Sequence, residues 1–493
     1  MGRFFKPWFH PDDSREERLL ICKLDILITL YAFVLYWCKY LDQANISYDL
    51  PLSVPARGAI ADQCIDNAYV SGMSADLGFH GNELVHFQTM YSLGAVVGQL
   101  PFAILFTKLP MKYVIPGLDV GWGIFTLVQY RANSYSEMMA YRFLVGLFEA
   151  AFFPGVHYIF GSWYRGDEIS RRGGVFYVGL YLGTLTAGLL QAAAVNNLDG
   201  VHGLAGWRWM FIINAGITIP LGIIGFFVLP GTPDKCKSPF LTKEEVQLAR
   251  KRLEKEGHQL PTGFSWQKFK RIFTSWRIYI LIIWDIFFWN AGTSSSAGAY
   301  ILWLKSLKRF STAKINNLST TAPALGIFYV LFICFGADLF LTRAGAITLA
   351  HIWNFIGLTI LSIWHVPESA KWFAFNTLSA TNSMSSVLYG WANDILKHDA
   401  DERSFALIAM NTIAQSTTVW TPLLTLPTVE APRFPKGYPF SAVSAVCCIA
   451  MTWVVKYLHD RQERQTVQEK IEDLTHPTAE KQAKLSVEAV API

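Results

Sequence analysis

Arg142 and Glu149 lie inside one apolar stretch, residues 138–163. At about 1.5 Å rise per residue that stretch is long enough to span a bilayer. A charge at membrane depth costs between about 3 and more than about 10 kcal/mol, depending on the reference state. Two charges in one span therefore need a reason. Their spacing is two helical turns less about 20°, which puts both on one face, roughly 10 Å apart along the axis. That is too far for a simple ion pair and suits two groups lining one water-filled cavity. A guanidinium there offers a carboxylate two parallel donors, and a desolvated carboxyl can take up and release a proton. The competing reading is a structural pair of charges buried against neighbouring helices.

Other polar groups interrupt apolar segments in the same way. Lys39, Asp42, Gln43 and Asn45 stand at the far end of the first hydrophobic segment. Lys39 and Asp42 are spaced for a local helical salt bridge, with a direct ligand role as the alternative. Tyr177 lies in a fifth segment, Asp285, Trp289 and Asn290 in a seventh, Asn382 and Tyr389 in a tenth, and Asn411 and Gln415 in an eleventh. Any one of these can equally be a satisfied interhelical hydrogen bond. The expected substrate site is Lys39, Gln43, Asn45, Arg142, Tyr177, Trp289, Asn290, Asn382, Tyr389 and Gln415. Glu149 and Asp42 are expected to carry protons.

The elements that must hold these groups are membrane helices. Of 493 residues, 52% are hydrophobic and only 16% charged, with a mean hydropathy of +0.28. A soluble globular chain has about a quarter of its residues charged. The net charge of +5 does not point to nucleic acid, because Lys and Arg concentrate in short loops between apolar runs. That pattern places both termini and the central linker on the cytoplasmic side. The loop at 305–314 is basic on the opposite side and departs from the rule. The seven cysteines show no metal-ligand spacing, and no GxxxxGK[ST] string supports ATP-driven transport. No cofactor, metal or enzymatic activity is expected.

Hydropathy divides the chain into a cytoplasmic tail (1–22), a six-helix half (23–229), a hydrophilic linker (230–277), a second six-helix half (278–458) and a largely disordered tail (459–493). Thr242 and Glu245 have capping-box spacing ahead of an amphipathic helix in the linker. Gly94/Gly98 and Gly179/Gly183 allow close helix approach. The fold class is an all-α membrane protein of twelve transmembrane helices.

The strings RFLVGLFEAAFFPG, GSWYRGDEISRRG and GLAGWRWMFIIN resemble the major facilitator superfamily. Within it the chain is similar to the fungal anion:cation symporters, which include allantoate, nicotinate, biotin and pantothenate permeases. The string KYLDQAN resembles the family's first-helix motif, whose polar groups face the central cavity, although many relatives have Arg at the position of Gln43. Asp338 and Arg343, in FGADLFLTR, resemble a degraded copy of the loop motif that locks members closed on the inner side. The resemblance implies a monomeric plasma-membrane symporter driven by the proton gradient, taking up a small organic anion with pantothenate first. Biotin, nicotinate or allantoate is the alternative, and a transport-inactive nutrient sensor is the alternative of another class. Residues 47–66 interrupt the family pattern between ANI and NAYVSGM. They are expected to be a retained intron, with an external loop as the alternative.

Overall fold

The structure is a computed structural model that describes residues 8–10, 12–44, 76, 83–255, 266–296, 299–310, 318, 320–426, 430 and 432–475. Asn45 and the suspected insertion at 47–66 lie outside the described residues.

The described residues form helices joined by short connections. In the first half these are α1 (Arg15–Leu24), α2 (Tyr31–Ala44), α3 (Glu83–Lys108), α4 (Met111–Val128), α5 (Tyr135–Glu149), α6 (Phe152–Trp163), α7 (Gly166–Leu198) and α8 (Gly206–Val228). The linker carries α9 (Lys243–Lys255) and α10 (Trp266–Thr274). The second half contains α11 (Trp276–Ser296), α12 (Ala299–Ser306), α13 (Thr321–Leu339), α14 (Arg343–Ile363), α15 (Glu368–Thr377), α16 (Ser385–Ile395), α17 (Ala400–Thr425) and α18 (Gly437–Thr475). Among the described residues, six spans are long and apolar enough to cross a membrane. Helices suit that environment because each satisfies its own backbone hydrogen bonds.

Three elements depart from or add to the expected spans. Within the polar tail at 1–22, α1 is helical, capped by a reciprocal Ser14–Glu17 box, and runs through a π-helical turn (Asp25–Leu30) into α2. The fourth span is two helices, α5 and α6, separated at residues 150–151. Pro154, at the third position of α6, has no N–H to give the Ala150 carbonyl, so the break falls one turn before it. The tenth span also breaks, into α15, two 3-10 turns and α16. There the Thr377 hydroxyl donates to the Ala374 carbonyl (2.7 Å), and the Ser379 and Ser383 hydroxyls turn back to Asn376 and Ala380. Such bonds compete with the helical ladder.

Glycine sets how closely the helices approach. A Cβ on Gly94 would lie 2.1 Å from the Phe143 carbonyl oxygen, and one on Gly146 2.1 Å from that of Tyr91, so α3 and α5 meet backbone to backbone. Gly179 and Gly183 serve α7 against α2 in the same way.

The two halves are fastened at the end of the bundle that carries the linker. Arg171 of α7 pairs with Asp338 of α13 at 3.2 Å, and both are buried. Arg403 of α17 donates to the Gly161 carbonyl (3.0 Å), Asn393 to that of His157 (3.2 Å) and the Ser386 hydroxyl to that of Gly173 (2.7 Å). Asp338 and Arg343 of the FGADLFLTR string thus serve different partners, since Arg343 binds Asp394 at 2.8 Å. The linker helix is capped as expected, with the Glu245 N–H donating to the Thr242 hydroxyl. It docks through Lys23–Glu245 and the buried Arg252–Glu168 pair.

Candidate functional site

The first half concentrates buried charge within its spans. Lys39 stands on α2 sixteen residues beyond Lys23, roughly 24 Å along the chain's helical axis. Its ammonium meets Glu149 Oε1 at 3.0 Å, with the side chains 11% and 1% exposed. The local bridge from Lys39 to Asp42, one of the two readings their spacing left open, is not the one formed. Asp42 instead accepts a hydrogen bond from the Trp122 indole of α4 at 2.7 Å. The Lys39 side chain reaches across to α5, where a buried carboxylate at 3.0 Å outcompetes a flexible i,i+3 contact.

Arg142 is 2% exposed, and its guanidinium lies over the Tyr91 ring of α3 at 5.1 Å. Arg142 and Glu149 share a face of α5, as their spacing predicts. Asp119 of α4, fully buried, completes the group and lies within electrostatic reach of Lys39 and Glu149. It was missed in the sequence, although the signal that singles out Glu149 applies equally to it: it is an acidic residue within an apolar run, VIPGLDVGWGIF. The second half repeats the placement. Asp119 is the ninth residue of α4 and His351 the ninth of α14, both with no exposed surface. Three residues further on, Trp122 and Asn354 each donate to the first helix of their own half, at Asp42 and at the Ala291 carbonyl.

The expected second-half ligands divide. Asn290 is held by the protein's own helices: its amide N–H groups donate to the Ile286 carbonyl and Thr417, and its carbonyl accepts from Thr421 (2.8–3.0 Å), on α11 and α17. Tyr389 is fully buried and donates to Asp285 at 2.7 Å, with its hydroxyl 3.2 Å from Asn411. Gln415 accepts from Gln99 of α3 at 3.0 Å, while the Gln99 carbonyl accepts from Asn411 and Thr412. Tyr389 and Gln415 thus belong to a polar chain that crosses between the halves. That chain engages the Tyr389 hydroxyl and the Gln415 side-chain carbonyl. Gln99 was another residue the sequence reading passed over.

Tyr177 is buried, with its ring 5.6 Å from that of Tyr36 on α2. Asn382 sits in the break of the tenth span, its side-chain oxygen 2.9 Å from where a Cβ on Gly292 would stand. Trp289 is half-buried, and Gln43 lies in the last turn of α2. No cluster of three metal-ligating side chains occurs among the described residues. The arrangement suits exchange of one anion for another at a fixed cation, with protonation of a carboxylate as the switch.

Residues 33–422 match the family model described as Major Facilitator Superfamily. The chain is 41% identical over 463 residues to the vitamin H transporter of Saccharomyces cerevisiae, covering 92% of this chain and 75% of that one. It is 32% identical to the pantothenate transporter liz1 of Schizosaccharomyces pombe, covering 94% and 86%. Among solved structures it is similar to the proton:xylose symporter XylE bound to 6-bromo-6-deoxy-D-glucose. The TM-score is 0.67 at 14% identity, covering 87% of this chain and 95% of that one, a likeness of fold.

Proposed function

We propose that this chain, which belongs to the major facilitator superfamily, is a proton-coupled symporter that imports a small organic monocarboxylate. The observation that carries the proposal is the buried Lys39–Glu149 pair. With Glu149 ionised, the Lys39 ammonium is occupied. Protonating Glu149 frees it for the carboxylate of the substrate, so the anion binds when the proton does. Arg142 stands roughly 10 Å further along α5 and offers a second, bidentate donor set. Tyr177, Trp289 and Asn382 contact the uncharged remainder. Release requires the linker end to open, which parts Arg171 from Asp338 and Arg403 from Gly161.

Biotin is the first substrate we propose, because of the 41% identity to a vitamin H transporter. Pantothenate, the expectation from the sequence, is the second reading, favoured by the 32% relative. Both are monocarboxylates with amide-type groups. The linker end is assigned to the cytoplasm from the basic loops that flank α4, α7 and the linker, and the protein to the plasma membrane from its resemblance to vitamin-uptake permeases. The test is uptake of labelled biotin and labelled pantothenate by yeast cells lacking their own carriers for both. Saturable uptake of one, stimulated by an acidic exterior and lost in Glu149→Gln, is the expected result. Surface-expressed protein that moves neither vitamin overturns the proposal.

A further inference from the structure

The charge count of the buried cluster bears on how many protons travel with the anion. Five ionisable side chains face one another on α2, α4 and α5: Lys39, Asp42, Asp119, Arg142 and Glu149, none more than 9% exposed. Glu149 and Lys39 touch, Asp42 is in electrostatic reach of Glu149 and Arg142, and Asp119 of Glu149 and Lys39. Other ionisable groups on these and neighbouring helices are engaged elsewhere: Arg208 donates to the Tyr130 carbonyl, Lys112 to that of Lys237, Glu137 accepts from the Asn133 N–H, His157 is bonded to the Phe153 carbonyl, and Asp285 accepts from Tyr389. From α2 come Tyr31, Tyr36, Cys38 and Tyr40, and from α3 comes Tyr91. The inward face of α8 presents Asn214 and Thr218. The ionised groups of α7, Glu168, Arg171 and Arg172, are paired at the linker end.

Three carboxylates against two cations leave one uncompensated negative charge if all are ionised. An unbalanced charge in a low-dielectric interior is too costly to persist, so the empty site holds one proton. Glu149 has the Lys39 ammonium and Asp42 has the Trp122 N–H. Among the described residues neither oxygen of Asp119 has a hydrogen-bond partner, which makes Asp119 the least able to bear the charge. A monocarboxylate that takes Lys39 from Glu149 restores the excess of one, and a second proton, on Glu149, cancels it.

We propose that Asp119 is the resident protonated acid of the cluster and that one proton, cycling on Glu149, accompanies each monocarboxylate, so that transport is electroneutral. This rests on the symport reading given above. It also sets a substrate class, because a dicarboxylate would arrive one proton short of balance and be rejected.

The test uses the full-length protein reconstituted in liposomes, with labelled biotin and labelled pantothenate as separate probes. A pH gradient with the potential clamped should accumulate the transported vitamin by about tenfold per pH unit. An inside-negative potassium diffusion potential without a pH gradient should change the initial rate by less than about twofold. Uptake that follows the potential, or an inward current on substrate addition, means more than one proton per anion. Either result overturns the charge balance while leaving symport intact. Uptake indifferent to both gradients overturns proton coupling, and with it both readings. Asp119→Asn should keep the ratio at one proton per anion, whatever it does to the rate. If Asp119→Asn retains counterflow but no longer accumulates under a pH gradient, Asp119 is the cycling group and the assignment fails. The wild-type potential measurement needs no variant to fold.

Discussion

Replacing Lys39 by Met removes the ammonium 3.0 Å from Glu149 and leaves a carboxylate at 1% exposure without its cation. At an effective dielectric of about 20, a pair at this distance attracts by about 5 kcal/mol. Desolvation of both ions offsets much of that in the intact protein. Removing one partner strands the other, at a cost of about 3–5 kcal/mol. For a chain of this size that is a fall in apparent Tm on the order of 5 °C. Glu149→Leu should cost a similar amount by stranding Lys39. The double variant removes both charges and should return to within about 1 kcal/mol of wild type, a coupling of roughly 5–10 kcal/mol between the two losses. Thermal unfolding of the four purified proteins, followed by loss of the monodisperse chromatographic peak, measures the cycle. Uptake supplies a second axis, since the double variant should regain stability but not transport. Additive losses, with coupling below about 0.5 kcal/mol, would refute the pairing and the switch built on it.

Four further outcomes are expected. Arg142→Lys keeps the charge yet loses bidentate geometry, so uptake should fall by at least about tenfold at equal surface expression, for a loss of about 1.4 kcal/mol; wild-type kinetics would sink its anion role. Asp338→Asn breaks the Arg171 pair and should loosen the linker end, speeding thiol labelling of Cys334, which is fully buried beside Gly174; an unchanged labelling rate would show that this bridge does not hold the halves. At Glu245, burial raises the carboxyl, but hydrogen bonds from Lys23 and the Thr242 backbone outweigh it and hold the group below its ordinary value of 4.5. A depressed carboxyl stabilises above that range and loses its contribution as pH falls. The protection factors of α9 amides, corrected for the intrinsic pH dependence of exchange, should therefore fall between about pH 5 and about pH 3, and protection factors unchanged over that range would count against the contact. For residues 47–66, a mature message still encoding Tyr48 to Ile65, together with peptides from that segment, would end the intron reading.

What the sequence determined alone is what depends on local periodicity. Apolar length marks the spans, and seven-residue spacing puts Arg142 and Glu149 on one face of α5. Small residues at i and i+4 mark Gly94/Gly98 and Gly179/Gly183 as places of close approach, and Thr242 with Glu245 caps α9. All of these follow from the chain's own geometry within two turns. Asp119 was legible by the same rule and was passed over. The partner of each buried group was not legible. Lys39 has Asp42 three residues away and binds Glu149, 110 positions on, because the tertiary arrangement of the helices decides which side chains meet. The same arrangement brings Thr417 and Thr421 of α17 to the Asn290 amide, and Asp285 of α11 to Tyr389. A polar side chain in a membrane span must be satisfied by something. Only the packing of helices far apart in the chain decides whether that is substrate, a proton or another helix.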